Sequence, residues 1–291
     1  MQKAKSEKSP LAKKKVATKT KSPNPANISI RKENLHPVAL PEDVRLNRFI
    51  AHAGICSRRK ADELIQAGDI KVNDKIINEP GFRIQKSDKV FYKGERIFAE
   101  KKVYILINKP KDYLTTTEDD RDRKTVMDLI GKNNRDLRVY PVGRLDRNTT
   151  GLLLLTNDGD LAQQLSHPSG NIIKVYQAEL NKPITKEHLQ MIRDGITLED
   201  GLAMVDEVDI TRPQVDFRFV GIAIHIGKNR IVRRIFEHLG YDVVRLDRVS
   251  YAGLTKLDLP RGKWRYLSEK EIIFLKHLRD GGIKKKGKDK A

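Results

Sequence analysis

Gly143-Arg144-Leu145-Asp146-Arg147-Asn148-Thr149-Thr150-Gly151 runs directly into Leu152-Leu153-Leu154-Leu155. The apolar run, bounded by glycine and turn residues, predicts a buried strand. The segment before it predicts a turn-rich loop that holds one carboxylate between two arginines. A charged side chain at the mouth of a buried strand is well placed to be reactive, because loops on a rigid scaffold commonly carry function. The flanking guanidiniums favour the ionised form of Asp146, and an ionised, positioned carboxylate can act as a nucleophile. The bland alternative for the same residues is a structural ion pair. Asp158 suggests a rival chemistry, a hydrolase carboxylate pair with Asp146. An extended Gly151–Asn157 would span roughly 20 Å, whereas such pairs sit about 5–9.5 Å apart. Asn157-Asp158-Gly159 therefore reads as a turn at the far end of the strand.

Outward from this segment, the chain has 291 residues, room for two domains and terminal tails. Lys and Arg number 58 against 39 acidic residues, a formal net charge of +19, which favours a polyanionic partner. Charge alone leaves ribosomal RNA, DNA and an anionic lipid surface open. No apolar stretch approaches the roughly 20 residues needed to cross a bilayer, and the N-terminus lacks the apolar core of a secretory signal. Cys56 is the only cysteine, so neither an intramolecular disulfide nor a cysteine metal cluster can form. His52, four residues earlier, makes only a poor metal pair with it. A reducing cytoplasm is expected.

Residues 1–42 are rich in Lys, Ser, Thr and Pro, with little apolar periodicity, and are expected to be a disordered basic tail. An organellar transit peptide would also be acid-poor, but would be amphipathic and Arg-rich. Residues 279–291, with Lys284-Lys285-Lys286, form a second basic arm. Between the tails, Leu46, Phe49, Ile50 and Ala53 recur at helical spacing and Gly54 ends the turn. Ser57 is positioned to cap a second helix bearing Ala61, Leu64 and Ile65, with Gly68 after it. Ile70 and Val72, an Asn73-Asp74 turn and Ile76-Ile77 then predict a hairpin. Arg58, Arg59 and Lys60 fall in the second helix's first turn, where cations oppose the helix dipole; the same place is a good seat for phosphate.

From Lys102 the pattern becomes that of a larger α+β domain. Strands are predicted at Val103–Ile107 and Lys174–Leu180, and a half-buried one where Ile222, Ile224 and Ile226 alternate with Ala223 and His225. A helix from about Arg230 to Leu239 has Ile231, Val232, Ile235, Phe236 and Leu239 on its apolar face. Arg230, Arg233, Arg234 and Glu237 fall on the other side.

Asn108-Lys109-Pro110, the Gly143–Gly151 segment, Asn157-Asp158-Gly159, Lys174-Val175-Tyr176 and Gly227-Lys228-Asn229-Arg230 through Arg233-Arg234 occur together, in this order along the chain. In this arrangement the chain resembles the RNA pseudouridine synthases, and within them the RsuA-type branch that modifies ribosomal RNA. The resemblance is nearly continuous from about residue 43 to 278. It implies an S4 RNA-binding domain at 43–101, built of two helices and a β-hairpin. A pseudouridine synthase domain at 102–278 would follow, with a long mixed, mainly antiparallel sheet and flanking helices. By resemblance Asp146 is the catalytic carboxylate, Tyr176 stacks on the target base and is implicated in taking its C5 proton, and Arg233 pairs with Asp146. Stacking suits tyrosine, since base–aromatic contact is sequence-tolerant.

The expected RNA contacts are Arg58, Arg59, Lys60, Lys109, Arg144, Lys228, Arg230 and Arg234. Two residues depart from the family pattern: Ile231 stands where Gln is common, and Asp112 where Gly is common, which puts the loop shape after Pro110 in question. The implied reaction, isomerisation of uridine by covalent attack of Asp146 or by elimination to a glycal, needs no cofactor, and no metal site is expected. Ribosomal RNA or a pre-ribosomal subunit is the expected partner of a monomer. The basic tails and the similarity to the RluB-like group favour a large-subunit site over 16S RNA. A non-catalytic ribosome-assembly factor that binds through the S4 domain is the alternative of a different class.

Overall fold

The computed structural model describes residues 43–131, 137–167, 170–212 and 216–278, so both basic tails lie outside the described residues. The first part comprises β1 (Val44–Arg45), α1 (Leu46–His52), α2 (Arg58–Gln66), β2 (Ile70–Val72), β3 (Lys75–Ile76), β4 (Arg83–Ile84), β5 (Val90–Tyr92) and β6 (Glu95–Arg96). Leu46, Phe49 and Ile50 of α1 and Ala61 and Ile65 of α2 are buried against Ile70, Val72, Ile84 and Val90, giving this part its own core. The Ser57 hydroxyl accepts from the Lys60 N–H at 3.3 Å and caps α2. The predicted hairpin is β2–β3, but it belongs to a four-stranded sheet ordered β3-β2-β5-β6, with β1 paired to β4. Strands of two or three residues carry too little alternation to be read from sequence, which is why β4, β5 and β6 escape the sequence pattern.

The second part contains β7 (Tyr104–Lys109), α3 (Val126–Leu129), β8 (Tyr140–Pro141), β9 (Thr150–Thr156), α4 (Gly159–Ser166), β10 (Lys174–Leu180), α5 (Lys186–Asp194), β11 (Ile196–Leu198) and β12 (Gly201–Ala203). It continues through β13 (Glu207–Ile210), β14 (Phe219–Ile224), α6 (Ile231–His238), β15 (Val243–Tyr251), β16 (Leu254–Thr255), β17 (Trp264–Tyr266) and α7 (Glu269–His277). The main sheet runs β13-β14-β10-β15-β9-β7-β17, with β16 on β15 and β8 on β9. Its pairings are antiparallel except that between β9 and β15.

The leucine run explains the architecture. Leu153 and Leu155 join the cluster on one face of the sheet, and Leu152 and Leu154 join the cluster on the other. A strand covered on both faces needs apolar residues at every position. The predicted alternation at 222–226 is only partly present: β14 ends at Ile224, and Ala223 is itself buried.

Gly151 is required where β9 meets β15. Its φ is +109°, and a Cβ there would lie 2.3 Å from the Arg248 carbonyl oxygen and 2.4 Å from the Arg248 nitrogen. Only glycine tolerates both this conformation and this approach.

Candidate active site

The Gly143–Thr149 loop is held by contacts that leave its charged residues outward. Leu145 is buried in the core. The Thr115 hydroxyl donates to the Leu145 carbonyl at 2.7 Å and accepts from the Leu145 N–H at 3.3 Å. Lys109, at the end of β7, donates from Nζ to the carbonyls of Asp146 (3.0 Å), Arg147 (3.2 Å) and Thr149 (2.8 Å). Asp112 fastens the loop from the other side, its N–H donating to the Arg147 carbonyl at 2.9 Å. Asp112 does so at φ +69°, the backbone region that glycine adopts most readily. Asp112 thus takes up a glycine-like conformation without being glycine. Asp146 emerges with its side chain 42% exposed, in a cleft of about 510 Å³ whose wall includes Thr115, Arg144, Arg147, Asn148 and Arg230.

The place of Lys109 corrects the expectation that it contacts RNA. It is 0% exposed, and its ammonium serves as the hub of the Asp146 loop. Burial pushes its pKa down to about 8 against the opposing pull of Asp146 and Asp112, while the converging carbonyl oxygens suit only the protonated form.

A second correction concerns the arginine partner of Asp146. Arg230, in the left-handed region at φ +46° just before α6, brings Nη1 to 3.7 Å from Asp146 Oδ2 and Nη2 to 3.1 Å from Glu237 Oε1. Arg233 is only 8% exposed; its Nη1 donates to the Val243 carbonyl at 2.6 Å, and its Nε has no partner. At about 100° per residue, Arg233 lies only about 60° from Phe236, at the edge of the buried stripe of α6. Burial lowers its pKa, Arg230 lowers it further and Asp146 opposes both, so Arg233 still acts on Asp146 through space.

Lys228 and Arg234 do not project freely either. Arg234 grips the Asp200 carboxylate at 2.5 and 3.0 Å, and Lys228 Nζ donates to the Asp200 carbonyl at 2.7 Å. Together they tie the turn between β11 and β12 to α6, and the Arg234 guanidinium holds the Asp200 carboxyl at about 2. Of the remaining basic residues, Arg58, Arg59 and Arg144 are exposed, and Lys60 pairs with Glu63 at 2.6 Å.

Tyr176 is 8% exposed within the core of the sheet domain and is not among the residues lining the Asp146 cleft. It lies opposite Arg248 in the ladder between β10 and β15. Arg248 is 2% exposed and donates from Nε to the Leu152 carbonyl at 2.7 Å. No sequence motif singled it out; the available signal was an arginine two residues after Leu246, an inward position of the strand. Asp247 beside it accepts from Arg261 and Thr150, each at 2.7 Å, and from Lys256, fixing the base of β9.

Asp158 takes no part in the cleft. It caps α4 and, 2% exposed, accepts from the Tyr104 hydroxyl at 2.7 Å and pairs with Lys102 at 2.9 Å. Among the described residues no cluster of His, Cys, Asp and Glu could hold a metal ion, and no helix is long and apolar enough to cross a membrane.

Residues 103–238 match the RNA pseudouridylate synthase family and residues 44–90 the S4 domain. The chain is 40% identical over 240 residues to ribosomal large subunit pseudouridine synthase B of Bacillus subtilis, covering 82% of this chain and 98% of that protein. It is 35% identical over 257 residues to the dual-specificity RNA pseudouridine synthase RluF of Escherichia coli K12, covering 87% and 86%. A crystal structure of a pseudouridylate synthase, 27% identical, superposes with a TM-score of 0.58 over 80% of this chain and 99% of that one. With its S4 domain, its mixed, mostly antiparallel sheet and an aspartate presented at the mouth of an interior strand of that sheet, the chain belongs to the RsuA-type family of RNA pseudouridine synthases.

Proposed function

We propose that this protein isomerises a uridine of large-subunit ribosomal RNA to pseudouridine, with Asp146 as the catalytic residue. The observation that carries the assignment is the loop itself: Lys109, Thr115 and Asp112 fix its backbone while the Asp146 carboxylate stays open to the cleft. The large-subunit target is supported by the name of the Bacillus subtilis relative. Asp146 drives heterolysis of the N1–C1′ bond, the electron pair leaving with the uracil ring. The ring turns, C5 bonds to C1′, C5 loses its proton and N1 gains one, so the atoms balance without a co-reactant. Arg230 and Arg233 supply positive charge beside the carboxylate, and Tyr176 supports the base, which leaves its stack to be reached. Arg58, Arg59 and Arg144 meet RNA phosphates.

Release of tritium from RNA labelled at uridine C5 tests this. The wild-type protein should release it from a 23S transcript or a partly assembled large subunit and not from the 16S counterpart. Asp146→Asn, which keeps the side chain's shape, should lower turnover by at least a thousandfold while RNA binding persists. Retained turnover by this variant would overturn the catalytic assignment. RNA binding without release by either protein, on transcripts and subunits alike, would favour the assembly-factor alternative.

A further inference from the structure

The main sheet carries a register row in which Lys109 of β7 lies opposite Gly151 of β9, Gly151 opposite Arg248 of β15, and Arg248 opposite Tyr176 of β10. Lys174, two residues before Tyr176 on β10, adds a third cation, donating from Nζ to the carbonyls of His225 at 2.8 Å and Ile172 at 3.1 Å. Among the described residues none of these three cations is in an ion pair, and their hydrogen-bond partners are backbone carbonyls. Arg248 leaves Nη2 without any partner and lies 4.5 Å over the Tyr251 ring. Arg248 opposes the charge of each lysine: burial first, and Arg248 among the further causes, lower the pKa of Lys109 and of Lys174, and both fall to about 8. For Arg248, buried charge without an ion-pair partner is costly, and its nearness to two further cations does not serve stability. Nor can Lys109 or Arg248, at 0% and 2% exposure, reach a phosphate.

The row begins behind the Asp146 loop and ends at Tyr176, the two residues between which the uracil is held if the preceding assignment is right. We propose that Lys109 and Arg248, both buried, and the half-buried Lys174 form an electropositive floor that stabilises the negative charge arising on the uracil when its glycosidic bond breaks. The N1–C1′ electron pair passes to the ring whether Asp146 attacks C1′ or assists elimination, so the floor serves either route. A fixed charge aimed at developing charge in a dry site needs no reorganisation as the bond breaks. Lys109 and Arg248 also hold backbone, so they are positioning residues as well; the electrostatic role is separable from that by leaving-group chemistry.

The test is single-turnover rearrangement of 23S transcripts made with uridine or with 5-fluorouridine, read by chromatography and mass spectrometry of the digested nucleosides. The wild-type rate on the uridine transcript checks the assigned activity on its own, apart from the floor. Arg248→Met should lower that rate by roughly tenfold or more at unchanged RNA affinity, and Arg248→Lys should restore most of it. On the 5-fluorouridine transcript, whose ring already carries negative charge more easily, the deficit of Arg248→Met should shrink several-fold. An equal deficit on both transcripts, or no deficit on either, would overturn the proposal. If Arg248→Met lacks a cooperative unfolding transition, Lys174→Met decides on the same pair of transcripts by the same criterion.

Discussion

Replacing Asp158 by Ala separates the two aspartates that bracket β9. The Asp158 carboxylate accepts from the buried Tyr104 hydroxyl at 2.7 Å, from Lys102 at 2.9 Å and from the Leu161 N–H at 3.5 Å. Loss of the helix cap costs about 1 kcal/mol. The orphaned Tyr104 hydroxyl adds about 1–3 kcal/mol. Lys102, 41% exposed, turns to water at little cost. The sum, about 2–4 kcal/mol, corresponds to a fall in Tm of roughly 5–15 °C for a domain of this size. Adding Tyr104→Phe should recover about 1 kcal/mol, because the buried hydroxyl then no longer lacks an acceptor. Thermal and urea unfolding measure these changes, and tritium release per folded molecule measures activity. Turnover of the folded fraction should stay within a few-fold of wild type. A variant of wild-type Tm that had lost turnover a hundredfold would refute this account and return Asp158 to the chemistry.

Gly151→Ala should destabilise the protein by roughly 3 kcal/mol or more, since both a positive φ and a backbone collision oppose the new methyl group. A change below about 1 kcal/mol in urea unfolding would show that β9 and β15 do not approach as described. Burial raises the Asp247 carboxyl, but hydrogen bonds from Arg261, Lys256 and Thr150 outweigh it and hold the group at about 2. With the folded pKa below the unfolded one, Asp247 adds about 2 kcal/mol of stability above roughly pH 4 that is lost as pH falls towards 2. Asp247→Asn should therefore flatten the acid limb of the stability–pH profile, and an unchanged slope would contradict the network.

Local pattern carried a good deal of this protein. The Ser57 cap and the apolar spacings of α1 and α2 are short-range features, legible because a helix repeats every few residues. Leu152–Leu155 announced a buried strand, and the residues before it a turn-rich loop with a carboxylate between two arginines; that the strand is covered on both faces and that Leu145 points inward came from the structure. The Asp146 carboxylate between the Arg144 and Arg147 guanidiniums follows from residue type and order alone. The one- or two-residue errors at strand ends have a plain cause, since the last residues of a strand are fixed by its neighbours rather than by its own sequence.

Placement was another matter. In sequence Lys109 is one more cation of a basic chain; the structure buries it because β7 pairs with β9 and brings its ammonium beneath three carbonyls of a loop about 40 residues away. Arg230 rather than Arg233 meets Asp146 because the chain enters α6 through a left-handed residue, and the first turn then rotates Arg233 towards Val243. The row from Lys109 through Gly151 and Arg248 to Tyr176 exists only once the order β10-β15-β9-β7 sets four distant segments side by side. Sequence thus determined which reactive groups the protein owns and the local elements that bear them. Strand order and register decided which of them are buried, which pair and which face the cleft, because those outcomes depend on contacts between residues far apart in the chain, as in the bonds from Arg248 to the Leu152 carbonyl, 96 positions away, and from Asn108 to the Leu259 carbonyl, 151 positions away.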